Sequence, residues 1–139
     1  MDIEIFALCD AATDTHGKLN MLGTFDAIWS KQIPTVHPHC AVAFRLRFSR
    51  IEEGEHTIRI NIIDEDGKLI APAMNASTKI VFGDNSESSI VRNMVINLQG
   101  LKIEKYGNYA IDLAIDGRQE ASLPLRVKEP PEAIQPLEG

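Results

Sequence analysis

Ala41-Val42-Ala43-Phe44-Arg45-Leu46-Arg47-Phe48 alternates large apolar side chains with small or cationic ones. A period of two puts Val42, Phe44, Leu46 and Phe48 on one face of an extended strand. Ala41, Ala43, Arg45 and Arg47 fall on the other. The stretch 57–63 repeats the pattern, with Ile58, Ile60 and Ile62 inward. Residues 109–115 and 121–127 predict a hairpin around Asp116-Gly117-Arg118. Its inward sets are Tyr109, Ile111, Leu113, Ile115 and Ala121, Leu123, Leu125, Val127.

The remaining segments extend the same reading. Residues 3–11 form a strand with Ile3, Ile5, Ala7 and Cys9 on one side, Phe6 and Leu8 on the other. A turn at 13–18 leads to a returning strand at 19–28. Residues 30–39 read as a loop, because Pro34 and Pro38 interrupt any ladder. Pro72 breaks the extended run 68–82 or sits at an edge. Residues 89–98 alternate, with Arg92 inside the apolar set. Residues 100–106 could form one helical turn. About eight strands separated by turn signals predict an all-β, antiparallel, immunoglobulin-like β-sandwich with at most one short helical turn. Isoleucine outnumbers leucine 17 to 11, in keeping with strands. Tyr109, at the start of the penultimate strand, suits a tyrosine corner, in which the hydroxyl bonds back to the preceding loop. The Cys…Trp…Cys spacing of antibody domains is missing.

A chain of 139 residues suffices for one domain, set at 1–128. Residues 129–139 contain three prolines and three acids with no pattern, and read as an extended or disordered tail. The net charge of −6 disfavours nucleic acid and anionic membrane surfaces. No run of 18 apolar residues exists. The acidic start, with Lys18 the first base, lacks the features of a secretory signal. Cys9 and Cys40 read as reduced thiols in apolar segments, and the expected compartment is the cytoplasm.

Ala7-Leu8-Cys9-Asp10, the run from Gly17 through Asp26, Pro34, His37-Pro38, Gly107-Asn108-Tyr109 and Asp116-Gly117 touch most of the chain. Together they resemble an uncharacterised bacterial family of single-domain, immunoglobulin-like β-sandwich proteins. The resemblance implies a short cytoplasmic protein and no assigned activity. Fold analogy alone supplies no function.

No motif carries catalytic chemistry, and the expectation is a protein that is not an enzyme. There is no glycine-rich phosphate loop, no Gly-x-Ser-x-Gly and no His-Glu-x-x-His. His37-Pro38-His39-Cys40 offers three metal-ligand types, but the second cluster that zinc sites need is missing. Asp64-Glu65-Asp66-Gly67 fails the calcium-loop register and reads as a solvated turn. Asp10, Asp14 and Asp26 could meet near the first hairpin, although acids at strand ends are usually caps. No metal and no cofactor are expected.

The outward face of residues 41–48 remains. If this strand pairs with 57–63, so that Phe44 faces Ile60, then Arg45 lies opposite Arg59. Like charges so placed are destabilising and need an acid, an anion or a partner to offset them. Arg45, Arg47 and Arg59 are the binding candidates, for a carboxylate or phosphate. Local acids could equally neutralise them. Ala41, Ala43 and Ile63 are the interface candidates, because small residues let another sheet approach. The leading expectation is a non-enzymatic interaction module with an unidentified protein partner or as a homodimer burying ~800 Å² per protomer. The alternative is a small-ligand or anion-binding domain using the arginine face.

Overall fold

The computed structural model describes residues 1–84 and 86–131. Among them lie nine strands: β1 (Asp2–Thr15), β2 (Lys18–Thr24), β3 (Ala27–Trp29), β4 (Thr35–Ser49), β5 (Gly54–Ile63), β6 (Met74–Ile80), β7 (Ser89–Ile103), β8 (Gly107–Ile115) and β9 (Arg118–Lys128). They form a four-stranded sheet of order β2-β1-β4-β7 and a five-stranded sheet of order β3-β9-β8-β5-β6. All pairings are antiparallel except β3 with β9, which is parallel.

The expected inward sets meet between the two sheets. Val42, Phe44, Leu46 and Phe48 of β4 are fully buried, in one core with Ile58, Ile60 and Ile62 of β5 and Ile111, Leu113 and Ile115 of β8. Each such side chain contributes roughly 1.5–3 kcal/mol relative to full exposure. Two hairpins close on two-residue turns with both backbones at positive φ: His16-Gly17 (51° and 78°) and Asp116-Gly117 (52° and 80°). These are the turns whose twist matches flanking strands. Buried Tyr109 donates its hydroxyl to the Lys105 carbonyl at 2.6 Å, the back-bond expected of a tyrosine corner.

Three expectations are corrected. The single strand read at 19–28 is two. β2 ends at Thr24, and Phe25-Asp26 crosses to the other sheet, where β3 pairs with β9. This makes nine strands, in keeping with the expected eight or so. Residues 35–39 are not loop. β4 starts at Thr35, and its ladder with β7 skips Pro38 but continues on either side of it, through the His37–Leu101 and His39–Gln99 pairs. Residues 100–103 are strand, not helical turn. Gly100, at φ 67°, lets β7 continue past the proline. The one short helical turn lies instead at Arg50–Glu52, where Glu52 accepts from the Ser49 amide and hydroxyl. Pro72 does break its run, since strand begins only at Met74. Of the expected tail, residues 129–131 carry no strand, and 132–139 lie outside the described residues.

β1 is bent, and the bend shapes the outer surface. Residues up to Cys9 pair with β4, and residues from Cys9 onward pair with β2. Beyond Cys9 the β1–β2 hairpin folds over the outer face of β4 and β7. Its tip is held by Asn93 of β7, whose amide donates to the Asp14 carboxylate (3.2 Å) and the Gly17 carbonyl (3.0 Å). Gly23 is required in this arm. Its φ is 70°, and a Cβ there would sit 2.5 Å from Asp10 Oδ2.

Candidate functional site

The three candidate arginines do not share a surface. β4 and β5 lie in different sheets, so Arg45 does not face Arg59. The connecting segment 50–53 carries the chain from one sheet to the other rather than closing a hairpin. Arg45 and Arg47 remain neighbours on β4. A register shift between Ile3 and Ile5 leaves Glu4 as the extra residue of a β-bulge in β1. Bulges re-aim side chains, and this one places the Glu4 carboxylate between the two guanidiniums. Arg45 Nε donates to Oε1 at 2.8 Å and Arg47 Nε to Oε2 at 2.7 Å. Arg45 also donates to Asn93 Oδ1, and Arg47 to the Ser89 hydroxyl. The hydrogen bond from Arg47, then that from Arg45, holds the Glu4 carboxyl below its ordinary range. These two arginines share one carboxylate, so the cluster is partly compensated and keeps a net positive charge.

Ala41, Ala43 and Ile63 do not meet either. Ala41 and Ala43 lie on the outward face but are 0% exposed. They form a second small cluster with Cys9, packed by Ala12, Leu19 and Val95. Small residues do admit a close second layer here, and that layer is the chain's own β1–β2 hairpin. Ile63 ends β5 in the other sheet, half-buried and bridged to Leu69.

Arg59 stands apart from the other two. It lies on the outer face of the five-stranded sheet, in a cleft of about 760 Å³ lined also by Thr57, Asn61, Asn75, Ser77 and Gln119. Its Nε donates to Asn75 Oδ1 at 2.9 Å. Among the described residues no carboxylate lies within ion-pair distance of it.

The other candidates resolve into structure. His37 packs its ring 5.7 Å from that of Phe25, and His39 is exposed. Cys40 is buried in the main core and Cys9 in the outer cluster. Both thiols are free. Burial pushes the Cys40 thiol up to about 11, so it is not a nucleophile at neutral pH. Asp64 accepts from the amides of Asp66 and Lys68, which makes it a turn cap. Asp10 lies against Gly23 and the Asp14 carboxylate accepts from Asn93, while Asp26 takes part through its backbone carbonyl, which accepts from the Arg126 amide.

One titrating pair was not legible in the sequence. His56 Nδ1 lies 2.7 Å from Asp116 Oδ2, and Nε2 lies 2.6 Å from the Glu52 carbonyl. Both partners only accept, so the arrangement favours the ring form that carries a proton on each nitrogen. Neither nitrogen is free to act as a base. Burial, with 14% of the side chain exposed, disfavours the imidazolium. The bonds to Glu52 and Asp116 outweigh it, so the His56 pKa rises. A raised folded pKa gives stability that is complete below the unfolded value of about 6.5 and lost as pH rises through the folded value. The urea midpoint should therefore fall between about pH 6 and pH 9, and His56→Gln should flatten that step. A wild-type midpoint rising across the window would contradict the pairing.

Two further features had weak sequence signals. The polar lining of the Arg59 cleft comes from β5, β6 and the start of β9, which are distant in sequence. The outer edge of β2 exposes Met21 and, at 71%, Leu22. Only the absence of charge between Leu19 and Thr24 hinted at this.

No helix among the described residues is long and apolar enough to cross a membrane. No curated protein matches the chain. A family model covers residues 4–128, nearly all of the two-sheet unit. By that match the chain belongs to the Family of unknown function (DUF6941).

Proposed function

We propose that this protein works by binding rather than catalysis, and that it pairs with a second copy of itself along β2. The observation that carries this reading is an unguarded edge. β2 is the outermost strand of its sheet, and it has no charge or proline from Leu19 to Thr24. Met21 and Leu22 are both exposed on it, one on each face of the strand, whereas β7, the opposite edge, exposes no large apolar side chain. Proteins usually guard edges with lysine, proline or a covering element. An unguarded edge offers free backbone donors and acceptors to another strand.

β2 is also compatible with itself. An antiparallel pairing centred on Met21 would set Lys18 across from the partner's Thr24, and Asn20 across from the partner's Leu22. No like charges would oppose each other. The pairing would join two four-stranded sheets across a two-fold axis, the commonest symmetry of soluble oligomers. The buried free thiols of Cys9 and Cys40 support a reducing, cytoplasmic setting.

The contact is a single strand edge, smaller than a standard interface, so a dissociation constant on the order of 10 μM is expected. Light scattering at about 100 μM should give close to twice the 15.4 kDa chain mass. Leu22→Lys places a charge in the seam and should return the mass to that of one chain, with an unchanged β spectrum. A wild-type mass of one chain at that concentration contradicts the reading.

A further inference from the structure

We infer that the cleft around Arg59 is a binding site for a small carboxylate that carries a hydroxyl or ammonium group beside its carboxyl. This site is separate from β2, and the inference stands whether or not the chain dimerises.

Three observations converge on it. Arg59 is the one charged residue lining the cleft, and no acid lines it. That is unusual in a chain of net charge −6, whose Arg45 and Arg47 share Glu4. Asp112, paired across from Asn61, bonds to the Ser122 hydroxyl and is not part of the lining. Next, Asn75 accepts from Arg59 Nε and so orients the guanidinium. Its two terminal nitrogens have no partner among the described residues. A guanidinium held in this way presents a planar fork that matches a carboxylate through two parallel bonds. Finally, Asn61 lies two residues along the same face of β5, and its Oδ1 is buried without a partner. A buried acceptor left unsatisfied is costly in a native structure and calls for a donor.

Together these define the ligand. The carboxylate takes the Arg59 fork, and a neighbouring hydroxyl or ammonium donates to Asn61. Ala114 and Gly117 keep the floor low enough for close approach, and the Thr57 and Ser77 hydroxyls can bond to remaining oxygens. No aromatic ring lines the cleft, so a base or a sugar face has nothing to stack on. A compact organic acid fits that composition better than a nucleotide or a glycan.

The test is a titration of isotope-labelled protein with malate, followed by amide NMR. Succinate, which lacks the hydroxyl, and inorganic phosphate serve as comparisons. Malate should give saturable shifts confined to the cleft residues of β5, β6 and the β8–β9 turn. Arg59→Gln should weaken binding at least tenfold. Asn61→Ala should bring malate down to the level of succinate. Arg126→Gln, an exposed arginine elsewhere, should change nothing. Each variant's amide spectrum reports that it is folded. No saturation with malate would overturn the inference, as would equal loss in Arg126→Gln. Equal binding of succinate and malate to the wild type would overturn the role of Asn61, and tighter binding of phosphate would overturn the carboxylate assignment.

Discussion

Phe44→Ala should destabilise the protein by about 3–5 kcal/mol, the largest effect expected of any single substitution in the chain. Phe44 is fully buried, and its ladder partners are Phe6 on β1 and Met94 on β7. Both pack against the same core. Truncation removes the ring's transfer free energy and leaves a cavity, because paired strands on both sides hold the backbone in place. The melting temperature should fall by on the order of 10 °C. Urea unfolding at matched slope measures the change directly. A loss under about 1 kcal/mol would mean that the sheets do not close on this ring.

The second large effect concerns the folded-over hairpin. Ala43→Leu should cost about 1–3 kcal/mol through overpacking. The expected damage is local as well as global. Leucine at position 43 has no room beneath Ala12 and Leu19, so the arm from Asp10 to Thr24 must lift. Amides of the hairpin should lose protection against hydrogen exchange, and the Asn93 bonds to Asp14 and Gly17 should go. The strands β5, β8 and β9 should keep their protection. If Ala43→Leu leaves hairpin exchange unchanged and stability intact, the outer cluster is not packed as described.

The two predictions also mark how much could be read without coordinates. The inward faces of β4, β5, β8 and β9 were legible, because burial on one side of a sheet imposes strict alternation, whereas those of β1 and β7 were not. Phe44 was identifiable as core from its own octapeptide. The tyrosine corner was legible for a similar reason: it is local, spanning four residues. What escaped was every feature set by non-local pairing. Residues 41–48 and 57–63 are neighbours in sequence and face one core, yet they belong to different sheets. Periodicity cannot distinguish that from a hairpin. The same limit misplaced Arg59 beside Arg45. The bulge at Glu4, which sets one carboxylate between Arg45 and Arg47, depends on a one-residue register shift that no composition records.

The covering of Ala41 and Ala43 is a related case. Their small size did signal a close second layer. Nothing in the sequence showed that β1 bends at Cys9 and supplies that layer itself. Pro38 and Gly100 misled in the opposite direction. Each is a strand breaker when read alone. The ladder between β4 and β7 is interrupted at Pro38 and Gly100 and resumes on both sides of them. The candidate site changed accordingly, from an arginine face on β4 to the Arg59 cleft and the β2 edge.

Hydrogen exchange of β2 amides at two protein concentrations tests the proposed assembly most directly. At about 1 μM, well below the expected dissociation constant, the amides of β2 that point away from β1 should exchange freely. At about 100 μM they should be protected, while amides of the edge strand β6 behave alike at both concentrations. Protection of β2 that does not change with concentration would contradict pairing between copies of this chain along that edge.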